Sequence, residues 1–207
     1  KHDDEQSARF GLRSVELVQQ PDTAGASFCF KINDTPVFAR GANMVPLNIL
    51  PADVKKAAIR GLLEEVVDAN MNMVRVWGGG IYQSDYFYKL CDSLGLMVWQ
   101  DFMFACSMVP DYPGYFENVK QEVKYNVIRL KNHPSIVTWC GNNEVISAWN
   151  NWGWEKRVVR KQGRQIADKI YQTYDTLFHR LIPGVLSQHD PYRPYWSSSP
   201  QSAPGVL

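Results

Sequence analysis

The chain has 207 residues, 45% hydrophobic and 21% charged, enough to bury a sizeable core. Its 22 basic and 21 acidic residues leave a net charge of +1, so the electrostatic footprint of a nucleic-acid or anionic-membrane binder is missing. No segment approaches the roughly 18 consecutive apolar residues of a spanning helix, and the polar start KHDDEQSARF is no signal peptide.

Residues 1–26 are polar, apart from one alternating apolar piece, RSVELVQ. SFCFKINDTPVFARGAN then reads as a short hairpin turning at Asn33–Asp34. The expectation is that 1–27 is the tail of a preceding β-sandwich domain or a linker, and that 28–207 is a separate unit. From Val37 a rhythm appears. Asp53 is a candidate cap for a helix with Ile59, Leu62, Leu63 and Val66 on one face. MNMVRVW follows as a strand, Ser84 opens a second helix that Gly95 ends, and LMVWQDF is the next strand. Val119, Val123, Val127 and Leu130 mark a third helix, stopping at His133-Pro134, and SIVTWC is another strand. After a tryptophan-rich loop, Ile166, Ile170, Tyr174, Leu177 and Leu181 predict a long helix closed by Pro183, and RPYWSSS reads as a last strand.

Strands and helices alternate, and the strands are continuous apolar runs, as in parallel sheets covered on both faces. A doubly wound sheet and a β/α barrel both fit this pattern. WGGG at 77–80 lacks the GxGxxG spacing of a dinucleotide site. Cys29, Cys91, Cys106 and Cys140 form no CxxC and have no histidine at ligand spacing, which favours buried free thiols over a disulfide or metal framework. No metal or other cofactor is expected. In a β/α barrel the reactive groups sit at the C-terminal ends of the strands. The unusual residues fall at those ends: Asn43, Arg75 and Trp77, Asp101, Asn143 and Glu144, then Trp196 and the serines. That coincidence favours the barrel.

A carboxylate at a strand end, flanked by amides and indoles, suits proton donation to a leaving oxygen. Glycoside cleavage needs such a group together with a second carboxylate. Tryptophan faces match the C–H faces of a sugar ring, and Asn, Arg and Asp can bind its hydroxyls. Taken alone, Glu144 has a lesser second reading, as a cap for the helix that follows it. Trp99 and Trp139 read as core, and His133-Pro134 as a helix-to-strand corner.

RLKNHPSIVTWCGNNE (129–144) resembles the signature that precedes the acid/base of glycoside hydrolase family 2. MNMVRVWGGGIYQSDYFYKLCDSLGLMVWQDFMFAC (71–106) and RPYWSSSP (193–200) resemble more particularly its β-mannosidase branch. The resemblance covers about residues 28–200, and it implies a (β/α)8 TIM barrel present only in part, about strands 1–5, behind a short β segment. It implies hydrolysis of terminal non-reducing β-mannose by a retaining two-carboxylate mechanism. Glu144 then matches the general acid/base, Asn143 the partner of the sugar 2-hydroxyl and Arg75 the arginine that supports the nucleophile. Trp77 and Asp101 match positions lining the sugar subsite, Trp152 is the expected stacking residue, and Trp196 and Ser198 are expected to line the site.

The family's nucleophile is a glutamate at the end of the seventh strand. After Glu144 the chain offers Glu155, Asp168, Asp175 and Asp190, none of which ends a predicted strand. A complete barrel takes about 250 residues. The expectation is therefore a piece of a longer protein, partnered by the remainder of its own barrel, inactive in isolation and prone to associate through open sheet edges. The expected ligand is a carbohydrate. The open alternatives are another family 2 exo-glycosidase (β-galactosidase, β-glucuronidase or exo-β-glucosaminidase type) and a non-catalytic carbohydrate-binding module. A periplasmic or secreted setting and a lysosomal one both fit the family.

Overall fold

The computed structural model describes residues 10–201, together with 4, 5 and 7. The first strands, β1 (Val15–Val18), β2 (Cys29–Ile32) and β3 (Thr35–Val37), form an antiparallel sheet in the order β1-β2-β3. Asn33 (φ 49°) and Asp34 (φ 63°) both take the left-handed region in the β2–β3 turn, which short polar side chains tolerate best after glycine. β1 lies within the segment expected to be a preceding domain or linker. It pairs along its whole length with β2, so a division at residue 27 passes between two partnered strands.

Five further strands alternate with helices: β4 (Gly41–Met44), α1 (Lys56–Asp68), β5 (Met73–Val76), α2 (Asp85–Leu94), β6 (Met97–Asp101), α3 (Tyr115–Leu130) and β7 (Ile136–Cys140). Then come α4 (Val145–Asn151), α5 (Trp154–Gln162), α6 (Arg164–Asp175), α7 (Ile182–His189) and β8 (Tyr195–Trp196). The five strands form one parallel sheet in consecutive order, β4-β5-β6-β7-β8, with no reversal of direction across it. Close backbone approach makes glycine obligatory at one point on each side. A Cβ on Gly41 would fall on the Met73 carbonyl, and one on Gly141 on the Ser197 carbonyl.

The two faces of the sheet are used differently. Val74, Val76, Val98, Ile136 and Trp139 join the main core with Ile59 and Leu63 of α1, Phe87 and Leu90 of α2, Val123 and Val127 of α3 and Ile182 of α7. Met73, Met97 and Val137 on the other face pack with Phe30 of the antiparallel sheet. The helices thus cover one face, and β1–β3 cover the N-terminal ends of the strands on the other. A register shift breaks the β6–β7 pairing: Val98 opposes Ile136, but Trp99 opposes Thr138, leaving Val137 extra. This bulge puts Val137 and Thr138 in phase with Trp99, and hence Cys140 opposite Asp101.

Two helix boundaries differ from the sequence reading. Asp53 lies in a short 3-10 turn, Pro51–Asp53, and α1 starts at Lys56 with no side-chain cap. Pro183 does not end the long helix either. A π-helical stretch, Thr176–Leu181, widens the turn ahead of it, and α7 continues to His189. The wider turn gives room for a ring that lacks an N–H and would clash with the carbonyl one turn back.

The α3–β7 corner is pinned by polar contacts. His133 Nδ1 lies 2.6 Å from Asp92 Oδ2, and Ser135 N–H donates to Asp92 Oδ1 at 3.1 Å. Arg193 is buried and donates to the carbonyls of Lys131, His133 and Ile136 while pairing with Asp190. Burial lowers its pKa to about 10, against the opposing pull of Asp190. Burial raises the pKa of Asp92, but the hydrogen bonds from His133 and Ser135 outweigh it, and the net shift is downward. A depressed folded-state pKa means a contribution that is present above about pH 4 and lost as the pH falls through the folded value. Replacing Asp92→Ala should cost about 1.5–3 kcal/mol at pH 7 and flatten the acid side of the stability curve. Melting temperatures at pH 7, 5 and 3.5 check this; equal acid sensitivity in variant and parent would contradict it.

Candidate active site

Strand alternation selects what reaches the face opposite the main core. On β5 it presents Met73 and Arg75, on β6 Met97, Trp99 and Asp101, and β4 places Asn43 beside Arg75. The Arg75 guanidinium forks onto Asp101: Nε donates to Oδ1 at 3.1 Å and to Oδ2 at 3.2 Å, and Nη2 to Oδ2 at 2.8 Å. Gly78 N–H adds a bond to Oδ2 at 2.9 Å, and the Trp99 indole N–H one to Oδ1 at 2.9 Å. Asp101 is completely buried, and donors on two sides compensate its charge.

The WGGG turn explains itself here. A Cβ on Gly78 would press on the carbonyls of Phe102 and Phe104, so only glycine lets its N–H reach Asp101. A Cβ on Gly79 would fall within the Trp77 ring, which folds back over that position.

Arg75 Nη2 also donates to Asn143 Oδ1 at 3.0 Å. This fixes the amide orientation, and Asn143 Nδ2 donates to Glu144 Oε2 at 3.0 Å. A hydrogen-bonded line therefore runs Asp101–Arg75–Asn143–Glu144 across three strand ends. The strand does not simply continue into the helix. Asn143 N–H donates to the Phe104 carbonyl, Glu144 N–H to the Ser199 carbonyl, and Glu144 is left-handed with φ 63°. That turn brings the Asn143 and Glu144 side chains into one hydrogen-bonded cluster. Glu144 occupies the N-cap position of α4, yet its side chain makes no cap bond. The Val145 N–H donates to Asn142 Oδ1 at 3.1 Å.

The other expected site residues are placed as follows. Trp152 is 55% exposed at the C-terminal end of α4. Trp196 is buried and packs edge-on against Phe28, ring centroids 5.1 Å apart. Ser198 is fully buried and its hydroxyl donates to Asn142 Oδ1 at 2.7 Å. Asp101 and Ser198 thus depart from the expectation that they line a sugar subsite: neither exposes surface, and their polar atoms are taken by neighbours. Two residues of the network were not anticipated. Trp99, read as core, holds Asp101, and its position two residues before Asp101 on one strand carried that signal. Asn142 is buried among Tyr174, Ser197 and Ser198. Burial pushes the Tyr174 hydroxyl up to about 12, keeping it neutral beside the amide. An open cavity of about 300 Å3, lined by Asn43, Met73, Arg75, Trp99 and Ser199 among others, adjoins this cluster.

No protein-family model matches the chain. Over 198 residues it is 46% identical to the β-mannosidase of Bos taurus, covering 95% of this chain and 22% of that protein. It is 37% identical over 194 residues to β-mannosidase B of Aspergillus fumigatus, covering 94% and 23%. The crystal structure of the β-D-mannosidase from Dictyoglomus thermophilum matches with a TM-score of 0.78 and 47% identity, over 92% of this chain and 22% of that one. The chain is homologous to part of the β-mannosidases. It spans about a fifth of the length of these relatives, 22% of the bovine protein. The likeness to β-mannosidases extends over the strands that carry Arg75, Asp101, Asn143 and Glu144.

Removing Asp101 leaves the Arg75 guanidinium, only 16% exposed, without its counter-charge. Asp101→Ala should cost about 3–5 kcal/mol, the range for breaking a buried ion pair. Denaturant unfolding of the full-length protein checks this, and a midpoint within error of the parent would contradict it.

Proposed function

We propose that the protein carrying this chain is a retaining exo-β-mannosidase that hydrolyses terminal non-reducing β-mannose, with Glu144 as general acid/base. The observation that carries the reading is the state of Glu144. It stands at a strand end, makes no cap bond to α4, and turns its carboxylate to Asn143, which Arg75 holds. A helix-capping role would have used that carboxylate on the α4 N–H groups. The names of the relatives supply the sugar.

In this reading the parallel sheet is the first part of a barrel, strands one to five. Its consecutive strand order and its helices on one face support that. The edges of β4 and β8, which no strand among the described residues pairs, would pair with strands from the remainder of the protein. That remainder also supplies the nucleophile, a glutamate beyond the end of this chain.

The reaction takes two displacements at the anomeric carbon. The Glu144 carboxylic acid gives its proton to the glycosidic oxygen as the C1–O bond breaks, and the nucleophile bonds to C1 from the opposite face. The Glu144 carboxylate then takes a proton from water, whose oxygen displaces the nucleophile and restores the β-configuration. Asn143 Oδ1 is engaged by Arg75 and one N–H by Glu144, so the remaining amide N–H is the one that meets the sugar 2-hydroxyl. Arg75 spends Nε and Nη2 on Asp101 and Asn143, leaving Nη1 to support the nucleophile. Asp101 acts as the fixed anchor of Arg75. Trp77 walls the subsite, and Trp152 is the exposed ring for stacking on sugar.

The test is hydrolysis of nitrophenyl β-mannoside by the full-length protein, beside the β-galactoside, β-glucoside and β-glucuronide. The expected result is selective turnover of the mannoside, reduced about 10²–10⁴-fold by Glu144→Gln with little change in ligand affinity. Preference for another glycoside would overturn the sugar assignment. Ligand binding without any turnover would favour a binding module instead.

A further inference from the structure

Glu144 holds a left-handed backbone that carries a steric penalty for any residue with a Cβ, and such a conformation persists only where its surroundings impose it. Among the described residues its own side chain bonds to Asn143 alone, a partner that does not hold the backbone. We propose that Asn142 is a positioning residue for the acid/base: it imposes the backbone turn that aims the Glu144 carboxylate, without touching substrate. The inference rests on the reading of Glu144 as the acid/base.

Asn142 is completely buried and uses its whole hydrogen-bonding capacity. Oδ1 accepts from Val145 N–H at 3.1 Å and from the Ser198 hydroxyl at 2.7 Å. Nδ2 donates to the Ser197 carbonyl at 2.9 Å and to the Tyr174 hydroxyl at 3.5 Å. The backbone repeats the attachment on both sides. Ser199 N–H donates to the Asn142 carbonyl at 3.0 Å, and Glu144 N–H to the Ser199 carbonyl at 3.1 Å. The segment that follows β8 is thereby stitched to residues 142–144, with Glu144 clamped between this seam and the first turn of α4.

Asn142 and Asn143 divide the work. Asn143 reaches forward to the Arg75 and Glu144 side chains. Asn142 reaches back and satisfies the orphan N–H of Val145, a group that is buried and must find an acceptor. Without Asn142, the Val145 N–H loses its acceptor and the turn at 142–144 loses its side-chain ties to Ser197 and Ser198. The Glu144 backbone would then relax to the right-handed form. That movement takes the carboxylate away from Asn143 and from a leaving oxygen. The adjacent amide therefore holds the turn from which Glu144 acts as an acid.

The experiment compares kcat/KM for two β-mannosides in the full-length protein: a dinitrophenyl mannoside, whose leaving group departs without protonation, and a methyl mannoside, whose leaving group needs the acid. Asn142→Ala and Ser198→Ala are measured beside Glu144→Gln. The expected result is that Glu144→Gln lowers only the methyl mannoside rate, by about 10²-fold or more. Asn142→Ala should show the same selectivity at about 10-fold or more, and Ser198→Ala, which loses one bond to Asn142, a smaller loss in the same direction. Equal losses on both substrates in Asn142→Ala, alongside a selective Glu144→Gln, would overturn the proposal while sparing the acid/base reading. Should Asn142→Ala fail to fold, Ser198→Ala decides, and an unselective Ser198→Ala overturns it. If Glu144→Gln itself does not discriminate, the acid/base reading fails and this inference with it.

Discussion

The fork of Arg75 on Asp101 is the interaction on which the rest of the site depends. A guanidinium is planar and its donors leave in fixed directions, so binding a carboxylate side-on fixes where its remaining N–H groups point. One of them orients Asn143, and Asn143 in turn holds Glu144. Asp101 can serve as the anchor because it is fully buried and receives two more bonds, from Gly78 and Trp99. Freed of any one of these donors, it would be an under-compensated charge inside the sheet.

The sheet makes that arrangement possible through phase. Arg75, Trp99 and Asp101 share a face because side chains alternate along neighbouring parallel strands in matched register. On β7 the extra residue at Val137 brings Cys140, rather than Trp139, level with Asp101. The same face serves two ends. At the N-terminal ends of the strands it is apolar and covered by Phe30 and its sheet; at the C-terminal ends it is polar. Helices on the opposite face supply the bulk of the core, so the polar cluster need not contribute to it.

Much of this was legible in the sequence because apolar runs, capping glycines and turn residues act locally. The alternation of strands and helices, the Asn33–Asp34 turn, Gly95 at the end of α2 and the His133-Pro134 corner all stand where those signals lie. Arg75, Asp101, Asn143 and Glu144 stand out in the sequence by their place at strand ends. What the sequence concealed was decided at a distance. The turn at Glu144 is tied through Asn142 to serines some fifty residues later, with Ser198 Oγ bonding across 56 positions. Trp99 looks like core because half of its environment is core; only the indole N–H meets Asp101. Pro183 stays helical because a π-helical stretch precedes it, and Asp53 yields its capping place to a proline-led 3-10 turn. Asp101 and Ser198 are typical polar lining residues by type, and only burial reveals that they stand behind the wall.

In the proposed reaction Glu144 is the proton-transferring carboxylate of a two-step displacement. The most direct measurement is chemical rescue of Glu144→Ala in the full-length protein, with a dinitrophenyl β-mannoside and added azide. Azide needs no general base, so it can open the glycosyl-enzyme that water alone attacks slowly. The account predicts that azide restores turnover and yields β-mannosyl azide, with the configuration retained. Turnover indifferent to azide, or an α-configured azide product, would contradict it.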